Sequence, residues 1–207
     1  GSEMCIRDSF NTQMAWDLVE LFERLSVSAN GTRVVVLTGA GDKAFCAGGD
    51  LKERKGMTDE AWQAQHLVYE RMIRAVITCP LPVIGAINGA AYGGGCELTA
   101  ALDFVYVSET ARFAQTEVRI GIIPGAGGTQ TLARAVGERR AKELILSGNM
   151  FTAQDAVDWG LANRMCCAED LMDCTLAMAE TIAANAPIAV RQALSLIHIS
   201  EPTRPLI

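Results

Sequence analysis

The chain has 207 residues, half of them hydrophobic and a fifth charged, with a formal net charge of −6. That length fits one domain with a sizeable core, and the acidic balance argues against nucleic acid as the main partner, because phosphate binding wants a basic field. No apolar run approaches the roughly 20 residues of a membrane span.

Residues 1–9 carry no usable period and lack the apolar stretch of a signal peptide. Ser9 stands where it could cap the next segment. Apolar residues at 10, 14, 18, 21, 22 and 25 predict an amphipathic helix over 10–27, ended by Asn30-Gly31. Arg33 to Thr38 is a short β-branched run that reads as a buried strand. The glycine-rich segment from Gly39 to Asp50 reads as a loop at the strand's C-terminal end, where ligands of α/β folds tend to bind. Residues 58–79 predict a long helix with Trp62, Leu67, Met72, Ile73, Val76 and Ile77 on its apolar stripe, stopped by Pro80 and Pro82.

Val83 to Ile87 then reads as a strand, Asn88-Gly89 as a turn, and Gly94 to Leu102 as a helix. A strand is predicted over 104–107, a half-buried segment from Arg112 to Glu117, and an apolar run from Ile120 to Ile123 cut off by Pro124. Gly125 to Thr129 is a second glycine-rich turn, opening a helix through Val136. Further helices are expected over 138–147, over 153–159 capped by Thr152, over 169–185, and after Pro187. A short strand falls between Gly160 and Met165. Strands alternating with helices make the class α/β.

Seven cysteines, at 5, 46, 79, 96, 166, 167 and 174, show no paired metal spacing and read as reduced, mostly buried thiols. Only two histidines exist, His66 and His198, so neither a Ser/His/Asp triad nor a His-ligated metal is expected. Three places remain that offer backbone donors or carboxylates. Ala47-Gly48-Gly49-Asp50 lets backbone approach a ligand, or simply makes a turn. Gly93-Gly94-Gly95 precedes Glu97, which either serves an acid/base role or helps the helix dipole. Glu117 precedes an apolar run, where a carboxylate is unexpected unless it pairs with Arg112 or Arg119 or is functional. Taken together, two sets of N–H donors and two carboxylates form a set suited to adding water across an activated double bond. The donors would stabilise an enolate oxygen, one carboxylate would activate water and the other would protonate carbon.

These residues also carry a resemblance. Lys43-Ala-Phe-Cys-Ala-Gly-Gly-Asp-Leu-Lys-Glu53, Pro82-Val-Ile-Gly-Ala-Ile-Asn-Gly-Ala-Ala-Tyr-Gly-Gly-Gly-Cys-Glu-Leu98, Asp103, Phe113-Ala-Gln-Thr-Glu-Val118 and Gly121-Ile-Ile-Pro-Gly-Ala-Gly-Gly-Thr-Gln130 resemble the enoyl-CoA hydratase/isomerase (crotonase) family. The resemblance implies a spiral of ββα units over residues 10–195, assembled as a homotrimer or homohexamer. It puts the thioester carbonyl between the N–H groups of Gly49 and Gly94, and the CoA moiety along Ala47, Asp50, Leu51 and Lys52. Glu97 would orient and activate water, and Glu117 would deliver the α-proton. The implied reaction is reversible syn addition of water to a 2-enoyl-CoA. The thioester supplies the activation, so no cofactor is expected.

Alternatives are isomerisation or other acyl-CoA chemistry of the family, and an RNA-binding relative, since Lys52, Arg54 and Lys55 follow the loop. The bland reading of those cations is a solvated helix end. The resemblance places the protein in a bacterial cytoplasm or a mitochondrial matrix. Gly49 stands where alanine is commoner, and Thr116 where proline is frequent. Residues 1–9 and 196–207 fit neither end of the family pattern and resemble translated adapter sequence. The family's first strands and last helices are therefore expected to be incomplete.

Overall fold

A computed structural model describes residues 9–198, so all but residues 9 and 196–198 of the proposed tails at 1–9 and 196–207 lies outside the described residues. The chain first forms helix α1 (Thr12–Val27). It starts two residues later than its apolar period suggests, because Asn11, not Ser9, is the N-cap and accepts a hydrogen bond from the Met14 amide. Phe10 is thereby released from the helix and pairs as a parallel bridge with Gly49.

Three successive ββα units follow. The first holds β1 (Val35–Thr38), β2 (Ala44–Cys46), a one-turn helix α2 (Leu51–Arg54) and the long helix α3 (Asp59–Ile77). The second holds β3 (Val83–Ile87), β4 (Ala90–Tyr92) and α4 (Gly94–Ala101). The third holds β5 (Phe104–Ser108), β6 (Arg112–Ala114), a 3-10 turn (Glu117–Ile120) and α5 (Gly128–Val136). Each unit gives its first strand to one sheet and its second strand to the other. The sheets run β1-β3-β5-β8, all parallel, and β2-β4-β6-β7, parallel except for the antiparallel β6–β7 pair.

The remaining elements are α6 (Glu138–Ser147), β7 (Phe151–Thr152), α7 (Ala153–Asp158), β8 (Arg164–Cys166), α8 (Leu171–Ala183) and α9 (Pro187–His198). Thr152 caps α7 as expected, in a reciprocal box with Asp155. Helix α9 runs unbroken past residue 195, through Leu196, Ile197 and His198.

Some expectations need correcting. The 39–50 loop contains strand β2, whose three residues are too few to show a period. The α3 stripe holds from Met72 to Ile77 but not before it: Leu67 is 65% exposed and Trp62 edges a cavity, while Gln65 and Tyr69 are buried. Gln65 tolerates burial because its amide is fully engaged, accepting from Arg54 and donating to Thr12 and Glu53. The apolar run from Ile120 to Ile123 is not buried as a whole: Ile120 and Ile123 are exposed and line the same cavity.

Asp103 is structural, as its place at a helix end suggests. It accepts from the Val83 amide at 2.7 Å and contacts His198 at 3.0 Å. Among the described cysteines, 46, 79, 96 and 166 are buried and Cys167 is exposed.

Candidate active site

The three glycine-and-carboxylate segments meet at one cavity of about 500 Å³. Its lining includes Gly48, Gly49, Gly93, Gly94, Glu97 and Glu117. Backbone approach explains the glycines. A Cβ on Gly95 would collide with the Cys46 carbonyl oxygen, so the N-terminal turn of α4 can lie directly on the end of β2 only without one. Gly48 sits at φ +94°, and a Cβ there would stand 3.0 Å from the Gly94 nitrogen. The 47–49 loop therefore abuts the start of α4.

The two candidate donors are oriented by their neighbours. Phe10 donates to the Gly48 carbonyl at 2.9 Å and accepts from the Asp50 amide at 3.0 Å. In a parallel bridge of that register the Gly49 N–H points away from Phe10. Gly94 is the first residue of α4, where the N–H has no intrahelical acceptor. Among the described residues neither amide donates a hydrogen bond. Two unengaged N–H groups from adjoining loops, one at a helix N-terminus, suit an oxygen that gains negative charge.

Glu97 and Glu117 are 3% and 7% exposed. Glu97 projects from the first turn of α4, and its Oε1 accepts from the amides of Ala126 and Gly128, both at 2.8 Å. Burial raises its pKa, while those N–H groups and the nearby His66 oppose the rise. Glu117 opens the 3-10 turn. Burial pushes its pKa up to about 7, with the charge of Glu97 adding to the effect and its own backbone N–H opposing it. The Gln115 amide, oriented to satisfy its surroundings, donates to both Glu117 oxygens at 3.1 and 3.3 Å. Neither arginine pairs with Glu117: Arg119 donates to Asn149, and Arg112 to backbone carbonyls of Glu109 and Ala111.

Of the residues expected along CoA, Ala47 and Leu51 line the cavity. Asp50 instead caps α2, accepting from the Lys52 amide at 2.8 Å, and Lys52 is exposed outside the lining. The basic row is broken as well. Arg54 turns inward over the rings of Tyr69 and Trp62, at 5.4 and 5.9 Å from their centroids, which leaves Lys52 and Lys55 as isolated surface cations.

Several lining or supporting residues were not legible as such in the sequence: Phe10, Arg54, His66, Tyr69 and the Ala126 and Gly128 amides. The Gly125-Ala-Gly-Gly turn was the available signal, but its use as a carboxylate cradle depends on α4 lying beside it. Among the described residues, no helix is long and apolar enough to cross a membrane.

Comparison with known proteins agrees with this geometry. A sequence profile described as enoyl-CoA hydratase/isomerase matches residues 6–203. The chain is 44% identical over 165 residues to a mitochondrial enoyl-CoA hydratase of Pongo abelii, covering 79% of this chain and 56% of that protein. It is 40% identical over 164 residues to a short-chain-enoyl-CoA hydratase of Clostridium acetobutylicum, covering 79% of this chain and 63% of that one. The crystal structure of an enoyl-CoA hydratase from Bacillus anthracis superposes with a TM-score of 0.89 at 46% identity, over 91% of this chain and 73% of that one. The chain thus spans between just over half and about three quarters of the length of these three relatives.

Proposed function

The chain belongs to the enoyl-CoA hydratase/isomerase family, and we propose from its site that it is a hydro-lyase adding water reversibly to a 2-enoyl-CoA. The observation that carries this is the meeting of Gly49, Gly94, Glu97 and Glu117 around one cavity. The Gly49 and Gly94 N–H groups receive the thioester oxygen and stabilise it as it becomes an enolate. Removing one such donor typically costs about 10²–10³ in rate.

Glu97 takes one proton from water as the water oxygen bonds to C3. The C2–C3 π electrons move toward the thioester oxygen. Glu117 then gives its proton to C2 as the enolate collapses. One proton is taken and one given, so the pair keeps its total. The surroundings suit these roles: two N–H donors favour the charged, accepting form of Glu97, whereas burial pushes Glu117 up to about 7, so a sizeable fraction of it is protonated near neutral pH. The activation comes from the thioester, and the mechanism draws on no cofactor.

A second reading is enoyl-CoA isomerisation, with Glu117 alone shuttling a proton; its raised pKa would serve that reaction too. Hydration of crotonyl-CoA by the full chain, followed as loss of absorbance from the conjugated thioester, separates the two. Hydration lost in both Glu97→Gln and Glu117→Gln supports the hydratase. Full activity in Glu97→Gln would sink it. A homotrimer or homohexamer and a bacterial cytoplasmic or mitochondrial matrix location belong to the same proposal, supported by the family resemblance.

A further inference from the structure

The cavity contains a cation that the hydration chemistry does not use. Arg54, half-buried at the end of α2, lines it beside Gly49. Its Nε donates to Gln65 Oε1 at 2.9 Å, and its guanidinium carbon lies 5.4 Å from the Tyr69 ring centroid and 5.9 Å from that of Trp62. This grip fixes the plane of the guanidinium and leaves its two terminal nitrogens. Among the described residues, neither donates a hydrogen bond, and no carboxylate oxygen comes within 4.0 Å of the group.

The carboxylates nearest in the fold are otherwise occupied. Glu53 accepts from Gln65 and the Thr12 amide, Asp50 from the Lys52 amide, and Glu97 from two backbone amides. Glu117, pushed up to about 7 by burial, is charged less of the time than an ordinary carboxylate, which weakens its repulsion of an incoming anion. The cavity's other cationic candidate, His66, is already paired with Glu70 at 3.2 Å.

Gly49 acquires a second reason at this point. A Cβ there would lie 3.3 Å from an Arg54 terminal nitrogen and 3.3 Å from Tyr69 Cε2. Glycine at that position makes room for the guanidinium against the strand that supplies the oxyanion donor. A planar cation held over aromatic rings, with two free donors in a cavity, is suited to recognise a carboxylate in bidentate fashion.

We propose that Arg54 is a specificity residue and that the acyl group of the substrate ends in a carboxylate, a short dicarboxylic enoyl-CoA rather than a simple fatty enoyl-CoA. This rests on the hydratase reading for the reaction but not for the recognition. The anion could instead come from the CoA phosphates, so the test compares ligands that share them.

Binding of glutaryl-CoA and pentanoyl-CoA to the full chain is measured by calorimetry; the two acyl groups have five carbons and differ in the terminal carboxylate. The expected result is tighter binding of glutaryl-CoA by about 10- to 100-fold, a preference abolished in Arg54→Met and partly restored in Arg54→Lys. Equal binding of the two ligands by the native chain would overturn the proposal. So would an equal loss for both in Arg54→Met, which would assign Arg54 to the CoA phosphates. Because both ligands are saturated, this result stands apart from hydration. If crotonyl-CoA and glutaconyl-CoA are both left unhydrated while glutaryl-CoA is preferred, the reaction is wrong and the recognition is right.

Discussion

Glu97 and Glu117 face one cavity from two kinds of support. Glu97 stands on α4, most of whose residues are buried, and its oxygen is held by two backbone amides of the 126–128 turn. Glu117 stands on a four-residue 3-10 turn whose far end, Ile120, lies with Ile123 at the exposed rim. The first carboxylate is gripped by dipoles that favour its charge. The second is desolvated and held mainly by a side-chain amide. Burial is similar in the two, so what distinguishes the proposed acceptor from the proposed donor is the pair of backbone N–H groups on Glu97.

The sharpest way to break that contrast is to neutralise each side. Glu117→Gln and Glu97→Gln should each lower kcat for hydration by about 10²–10⁴-fold, read by the crotonyl-CoA assay. A much smaller effect in one of them would mean that a single carboxylate carries the reaction.

The grip on Glu97 can be loosened without touching the carboxylate. A Cβ on Gly128 would lie 2.7 Å from Glu97 Cγ and 2.9 Å from Oε1. Gly128→Ala should displace the side chain and cost about 10- to 100-fold in kcat, with the circular dichroism spectrum unchanged. Wild-type rates in that variant would show that the cradle does not set the geometry.

The Glu117 side is sharpened by pH. Its pKa is raised in the fold, so the folded state holds the proton more tightly than the unfolded chain does. Stability from this group is full below the unfolded pKa near 4.3, declines as pH rises toward 7, and is gone above it. Urea titrations of Glu117→Gln should lose that decline and gain about 1–2 kcal/mol at pH 8 after solvent screening. Because Glu117 must be protonated to give its proton, kcat/KM for hydration should fall above about pH 7. A flat profile from pH 6 to 9 would remove Glu117 as the donor.

The smallest effect is expected at the turn's end. Gly121 sits at φ +77° with open space where a Cβ would stand, so Gly121→Ala meets only backbone strain of about 1–2 kcal/mol. Thermal denaturation would read it. A loss well beyond that would show the Glu117 turn to be more tightly packed than the rim suggests.

Much of this molecule follows from local sequence. The bounds of β3, α5 and α6, and the Thr152 cap, come from apolar runs, glycine breaks and a capping side chain, all of which act over a few residues. The two glycine clusters and the two glutamates are likewise visible as contiguous motifs, but not that they line one cavity. Tertiary structure decided what depends on distant neighbours. Strands β2 and β4 are three residues each and exist because other strands pair with them. Phe10 left its helix for a bridge 39 positions away in sequence. In the first half of α3 it is Gln65 and Tyr69, not Leu67, that face inward, where Thr12, Glu53 and Arg54 meet them with hydrogen bonds and charge. The proton affinities of Glu97 and Glu117, and the inward turn of Arg54, are of the same kind. Each is a balance of desolvation against partners that only the folded chain brings within a few ångströms.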